Sequence, residues 1–397
     1  MKKGWERKTL GELCRFVRGP FGGSLKKSIF VENGFAVYEQ QHAIYDQFDD
    51  IRYFIDDAKF KEMQRFELRP NDLIMSCSGT MGRVAIVPDN IRCGIINQAL
   101  LKLTPSKAVE TVFLKYWMDS SDFQDSLKEQ AGGAAIQNVA SVSVLKEIKM
   151  PLPSLPEQQR IVGLLDEAFA GLATAQANAE KNLQNARALF ESHLQSVFTQ
   201  HGEGWVVRKI GEVAKHSLGK MLDKAKNRGE LQPYLRNMNV RWFTFDLSDL
   251  LQMPFLRDES AKYTAVRGDV LICEGGYPGR AAIWTEDYPI YFQKALHRVR
   301  FHELEHNTWF LYFLYAQDKS GKLKQHCSGT GIQHFTGEVL ARFEIPLPPL
   351  PELRRTVAKF NELSAETKRL ESLYQRKLTA LNALKKSLLH QAFTGQL

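Results

Sequence analysis

One motif in this chain looks catalytic, and several clusters look suited to binding. His302-Glu303-Leu304-Glu305-His306 has the HExxH spacing by which two imidazoles one helical turn apart hold zinc. Such a site needs the motif inside a long helix and a third ligand further on. Here it follows the strand-like LHRVRF and precedes a helix expected near Trp309, so it reads as a solvated turn. The chain has no GxxxxGK(S/T) phosphate loop, no GxGxxG after a strand, and no (D/N/S)PP(Y/F) tetrapeptide of the kind that grips a base during amino-methylation. No catalytic residue, metal or cofactor is therefore expected.

The binding clusters come in pairs. After Gly19 runs GPFGGSLKKS, with Lys26 and Lys27; after Gly219 runs GKMLDKAKNRGE, with Lys220, Lys224 and Lys226. Lysine heads neutralise phosphate without demanding fixed geometry, and glycine lets a loop follow a backbone. Beyond a strand end lie Gln40, Gln41 and His42 in one place and Arg236, Asn237 and Asn239 in another. Gln and Asn can bond an adenine edge at two points, and Arg a guanine edge. Two glycine-rich turns follow apolar strands: SCSGTMGR at 76–83, with Ser78, Thr80 and Arg83, and CEGGYPGR at 273–280, with Tyr277 and Arg280. Gln137, and Gln333 with His334, sit in a third glycine-flanked loop. Each cluster also has a plain structural reading: a solvated loop, a polar strand edge, or a hairpin needing positive φ at its glycines.

The pairing extends to the whole chain. IKMPLPSLPEQQRIV at 148–162 matches FEIPLPPLPELRRTV at 343–357, and Trp5 opens one copy as Trp205 opens the other. Asp72 pairs with Asp269, Gly82-Arg83 with Gly279-Arg280, and Phe198 with Phe393. The period is too long for a solenoid, so this is a tandem domain duplication. Within each half, DLIMS, GRVAIV and DVLIC read as strands, a short helix is expected near Val112–Met118 and again near Trp309–Ala316, and Val144–Ile148 and Val339–Ile345 read as last strands. After each PLPxLPE hinge, apolar residues recur at spacings of three and four, the pattern of a packed helical seam. A helix of ~40 residues would be ~60 Å long, more than one globular domain needs. The fold expected is α+β: two similar mixed α/β globular domains joined by two long antiparallel, coiled-coil helices in a pseudo-twofold duplication. The boundaries expected are 1–150, helix 151–200, 201–345 and helix 346–397.

Composition fits. At 397 residues more than one domain is expected, and a net charge of +8 favours a polyanionic partner if the basic charge is local. No apolar run is long enough to span a membrane, and no apolar segment follows the N-terminal lysines as in a secretory signal. Five cysteines, none in a CxxC pair, point to a reducing cytoplasm.

The hinge PLPSLPEQQRIV, the closing SLLHQAFTGQL, the opening GWERKTLGEL and the strand RGDVLIC together resemble the specificity subunit of type I restriction–modification enzymes. The resemblance covers the whole chain. It implies two target-recognition domains, each reading half of a split double-stranded DNA site. It implies long helices that space them and dock two methyltransferase subunits, through which restriction subunits join. Those partners carry the methyl donor and the cleavage chemistry. One departure is Leu353 where the first hinge has Gln158. The alternatives are a duplicated scaffold that binds only protein and a self-contained DNA-modifying enzyme; a steep salt dependence of DNA binding would exclude the first, and activity of the purified chain with metal or methyl donor would establish the second. If the helices set the gap, lengthening both by whole turns will change the spacer of the recognised site and leave both half-sites unaltered, as read by methylome sequencing.

Overall fold

The computed structural model describes residues 2, 4–21, 23–130, 141–200, 202–223, 225, 227–327 and 333–397. The chain divides into two compact units, Met1–Ala179 with Arg376–Leu397, and Glu180–Gln375.

In the first unit a four-stranded antiparallel sheet runs in the order Cys14–Arg18, Leu100–Pro105, Leu73–Ser76, Val84–Ile86. A three-stranded sheet, Phe54–Ile55, Phe35–Tyr38, Gly94–Ile96, lies beside it, its last two strands parallel. Every residue of Leu73–Ser76 is buried, because the strand separates two cores. Its alternation sends Leu73 and Met75 to the core shared with the helices, and Ile74 to the core under the small sheet. The second unit repeats this with Ala214–Leu218, Leu296–Phe301, Val270–Cys273 and Ala281–Ile283. There Val270 and Ile272 face the helices while Leu271 and Cys273 face the second core. The expected short helices form as Thr111–Asp119 and His306–Lys319.

The segments expected as last strands do not begin as strands. Val142–Lys146 and Gly337–Arg342 are single helical turns, and the strands follow as Lys149–Leu152 and Glu344–Leu347. Apolar spacings of three within five residues are one helical turn, too short to tell from a strand by period. Thr336 caps the second turn by accepting the Val339 N–H at 3.4 Å. Pro151 and Pro346 of the hinges therefore lie inside strands, opposite Arg7 and Val207. Each strand belongs to a two-stranded ribbon with an open edge, where the missing N–H of proline leaves no ladder bond unmade.

Each hinge opens a 45-residue helix, Leu155–Thr199 and Leu350–Thr394. Pro156 and Pro351 take the second position, where the absent N–H would have had no intrahelical partner. In the first unit Ile161 and Leu165 of one helix share a core with Leu389, Ala392 and Phe393 of the other. In the second unit Phe190, Leu194 and Phe198 share one with Leu353 and Phe360. In both, the start of one helix lies beside the end of the other, an antiparallel pairing.

Buried polar groups hold the turns. Asp72 accepts the Arg69 N–H at 3.0 Å and Asp269 the Val266 N–H at 2.8 Å, and Arg300 pairs with Asp269 at 2.6 Å. His297 is fully enclosed and donates from Nε2 to the Phe335 carbonyl at 3.0 Å. Burial pushes its pKa from 6.5 down to about 4. The unfolded chain thus takes up a proton that the folded one refuses, so stability present above pH 6.5 is lost as pH falls toward 4, by roughly 3 kcal/mol. His297→Gln keeps a donor but cannot titrate, and should flatten the pH dependence of urea unfolding across that window.

Candidate nucleic-acid interface

The loops singled out above leave one rim in each unit because of strand register. In the first unit Arg18 lies opposite Leu101, Ser76 opposite Leu100 and Tyr38 opposite Ile96, so four strands end and one begins together. Four backbone bonds stitch the loops that follow: Asn97 N–H to Tyr38 O (2.9 Å), Leu100 to Asn97 (3.2 Å), Gly19 to Leu100 (2.9 Å) and Cys77 to Ala99 (2.9 Å). The second unit repeats all four: Gln293 to Leu235 (3.1 Å), Leu296 to Gln293 (2.9 Å), Gly219 to Leu296 (3.0 Å) and Glu274 to Ala295 (2.9 Å). Gly19 and Gly219 are required by close approach rather than flexibility. A Cβ would fall 1.8 Å from the Asn97 carbonyl oxygen in one and 2.2 Å from that of Gln293 in the other.

On the first rim Ser78 Oγ donates to Gln40 Oε1 at 3.4 Å, and Thr80, Arg83, Lys26 and Lys27 are exposed. On the second, Asn237 Nδ2 donates to the Gly275 carbonyl at 3.1 Å. Arg280 donates to the Asn237 carbonyl at 3.0 Å and lies 4.9 Å over the Tyr277 ring. His334 stands beside Gly275, and Gln333 is exposed. These are neutral and cationic donors around bare glycine backbone, suited to phosphates and base edges. Burial pushes the thiols of Cys77 and Cys273 on these turns up to about 11, so neither is a nucleophilic thiolate at neutral pH. His302–His306 forms a turn that enters the helix only at His306, and no group of three His, Cys, Asp or Glu suited to a metal occurs among the described residues.

The family model for the type I restriction modification DNA specificity domain matches residues 2–182 and 202–379. The chain belongs to this family. By family it is a specificity subunit, the DNA-recognition component and not the catalytic one. It is 23% identical to the EcoKI specificity subunit of Escherichia coli K12, over 74% of this chain and 67% of that one. It is 21% identical to the MjaVIII specificity subunit of Methanocaldococcus jannaschii, over 99% and 93%. A match to the EcoBI specificity subunit of Escherichia coli, 28% identical, spans 36% of this chain and only 29% of that protein. Among solved structures, a chain from work on complex assembly and conformational transition of the type I R-M system superposes with a TM-score of 0.81, at 19% identity, covering 100% of this chain and 99% of that one. The HsdS subunit of Thermoanaerobacter tengcongensis superposes at 0.63, also at 19% identity, covering 100% and 98%. No described helix of this specificity subunit is long and apolar enough to cross a membrane.

Several residues expected to meet DNA are instead part of the frame. His42 is buried: Nδ1 accepts the Glu39 N–H at 2.9 Å and Nε2 reaches the Asp50 carbonyl at 3.1 Å. Asn239 does the same work, accepting the Arg236 N–H at 2.9 Å and donating to the Asp246 and Asp249 carbonyls. Arg236 is held by Asp249 at 2.7 Å. Lys220 is buried against Glu259 at 2.5 Å and the Pro254 carbonyl at 3.0 Å. Gln41 spends its amide on the Asp50 carbonyl at 3.3 Å. Local sequence could not separate these from their exposed neighbours, because which side of a one-turn helix is buried depends on distant strands. Gln137, Lys224 and Lys226 lie outside the described residues. Sequence reading passed over Phe21, 91% exposed, and Met221, 56% exposed, at the tips of the two lysine loops, and over Met238 beside Asn237. An aromatic between glycines in GPFGG was the available signal.

The units also differ beside the rim. A cavity of about 1020 Å³ in the first is lined by Asp46, Thr80, Arg83, Tyr116, Phe169 and Lys385. In the second, Trp242 and Phe243 fill the corresponding space against Tyr315, leaving about 300 Å³.

Frame and reader are separable by experiment. His42→Ala orphans the Glu39 N–H, and Asn239→Ala orphans the Arg236 N–H and the Asp246 carbonyl; each should destabilise its unit by about 1–3 kcal/mol per buried group left unpaired. Gln40→Ala should leave the denaturant midpoint unchanged within error.

Proposed function

We propose that this specificity subunit reads a bipartite site on double-stranded DNA, one half at each rim. Gln40, Ser78, Thr80, Arg83, Lys26 and Lys27 serve one half-site, and Asn237, Tyr277, Arg280, Gln333 and His334 the other. The observation that carries this is the repeated four-bond stitch under both rims with different exposed and half-buried polar side chains above it. A shared frame supports two readers, and unlike side chains support two different sequences, hence an asymmetric site. The chain works in a reducing cytoplasm; its five cysteines are all unpaired.

The long helices dock two methyltransferase subunits, and restriction subunits join through them. Leu164 and Leu189 on the first helix and Leu373 and Leu384 on the second stand 42–70% exposed, and are apolar side chains that such subunits would cover. The globular parts on either side of the hinges are the recognition domains.

Selection of the full chain against a randomised duplex pool tests the reading. Two information-rich blocks separated by a fixed unread gap are expected, and one continuous block or none would overturn it. Within that assay, Arg83→Ala and Arg280→Ala should each weaken binding across sequences and reduce the slope of log affinity against log salt by roughly 1, the share of one phosphate contact. Gln40→Ala and Asn237→Ala should instead relax base preference in one block each.

A further inference from the structure

The residue before each base-facing side chain carries an ion pair, and its sign is inverted between the units. In the first, Glu39 accepts from Arg52 Nε at 3.0 Å and pairs with its Nη2 at 2.9 Å. In the second, Arg236 donates to Asp249, at 2.7 Å to the carboxylate and 2.8 Å to the backbone carbonyl. Glu39 and Arg236 stand 197 residues apart, and so do Arg52 and Asp249. The inner member is shielded in both, with side-chain exposures of 15% and 14%; the outer member lies on the loop surface at 55% and 68%. Geometry and burial are kept while the charges trade places.

We infer that this pair is a latch that positions Gln40 and Asn237, the residues directly after Glu39 and Arg236. It clamps the outer loop onto the start of a short helix, Gln40–Tyr45 in the first unit and Asn237–Asn239 in the second, whose first residue faces the rim. His42 and Asn239 make the same closure from the buried side, binding the 39 or 236 N–H and the loop carbonyls. Either polarity serves, because what the helix start needs is a tether. Each latch is neutral, so either polarity leaves the net charge of the rim unchanged. In the first unit the exposed neighbours of Arg52 are Asp49 and Asp50, so reversing it alone sets an acidic cluster against Glu39. These are positioning residues, acting through Gln40 and Asn237. The inference rests on the half-site reading above for its effect on DNA, but not for its effect on the protein.

The full chain carrying Arg52→Asp, Arg52→Gln, or Glu39→Arg with Arg52→Asp is compared with wild type by two readouts. The first is amide hydrogen exchange of residues 39–42. Both single variants should speed it, and the double variant, which installs the second unit's polarity, should restore it. The second is half-site discrimination in the randomised duplex selection. The single variants should lose at least about tenfold in the block that Gln40→Ala alters, with the other block and the melting temperature unchanged, and the double variant should recover it. Unchanged exchange in the single variants, or a double variant that stays fast while melting like wild type, would overturn the latch. Exchange that follows the latch in a chain that selects no block at all would leave the latch standing and remove the half-site reading instead.

Discussion

The core of each unit is closed by an aromatic ring delivered at the far end of a helix that starts in the other unit. Phe393, at the end of the second helix, packs 5.1 Å from Phe113. Phe198, at the end of the first, lies 4.9 Å from Trp309, 5.2 Å from Phe313 and 5.6 Å from Phe360. These rings are buried, each the size whose removal costs about 3–5 kcal/mol. Neither globular part holds a complete core without the terminal turns of one of these 45-residue helices. That constraint explains why both helices run their full 45 residues without an internal proline: a kink would withdraw a core side chain as well as bend a rod.

Above that core, the frame is written in backbone and the reading in side chains. Asp46 and Phe243 both take left-handed φ, at 51° and 67°, though one is acidic and the other aromatic. Asn71 and Gly268 share the conformation as well, at 66° and 93°, as do Gly79 with Gly276 and Gly82 with Gly279. A non-glycine residue in that region is uncommon and held there by its surroundings. The matching turns therefore report a frame imposed by strand pairing, into which unlike side chains are set. Phe243 spends its freedom on filling a groove that Asp46 leaves open. The inverted pairs at Glu39 and Arg236 follow the same logic in charge: the tether is required, and its sign is not.

The chemistry agrees with a reader rather than a catalyst. The thiols on the rims are pushed up by burial, the histidine pair at 302–306 does not share a helix face, and the exposed side chains of the rims are donors and cations. The excess of basic charge matters only where it stays unpaired. Lys26, Lys27 and Arg83 are exposed in this way, whereas Lys220 and Arg236 have already given their charge to Glu259 and Asp249.

Much was legible without coordinates. The repeated PLPxLPE hinge, the three-four apolar spacing after it and the matching Asp72 and Asp269 turns disclosed the duplication, the long helices and the principal strands, because period and internal register are properties of the chain itself. The family resemblance disclosed the role. What the sequence could not separate was His42 from Gln40, or Asn239 from Asn237: each pair belongs to one polar cluster, two residues apart. Which of them is half-buried and which is walled in depends on the Asp50 and Asp246–Asp249 loops folding back, and burial is a sum over distant neighbours that no local pattern contains. The amino-acid order determined that there are two polar rims on two cores; only the packed chain decided which of their side chains remain free to touch a partner.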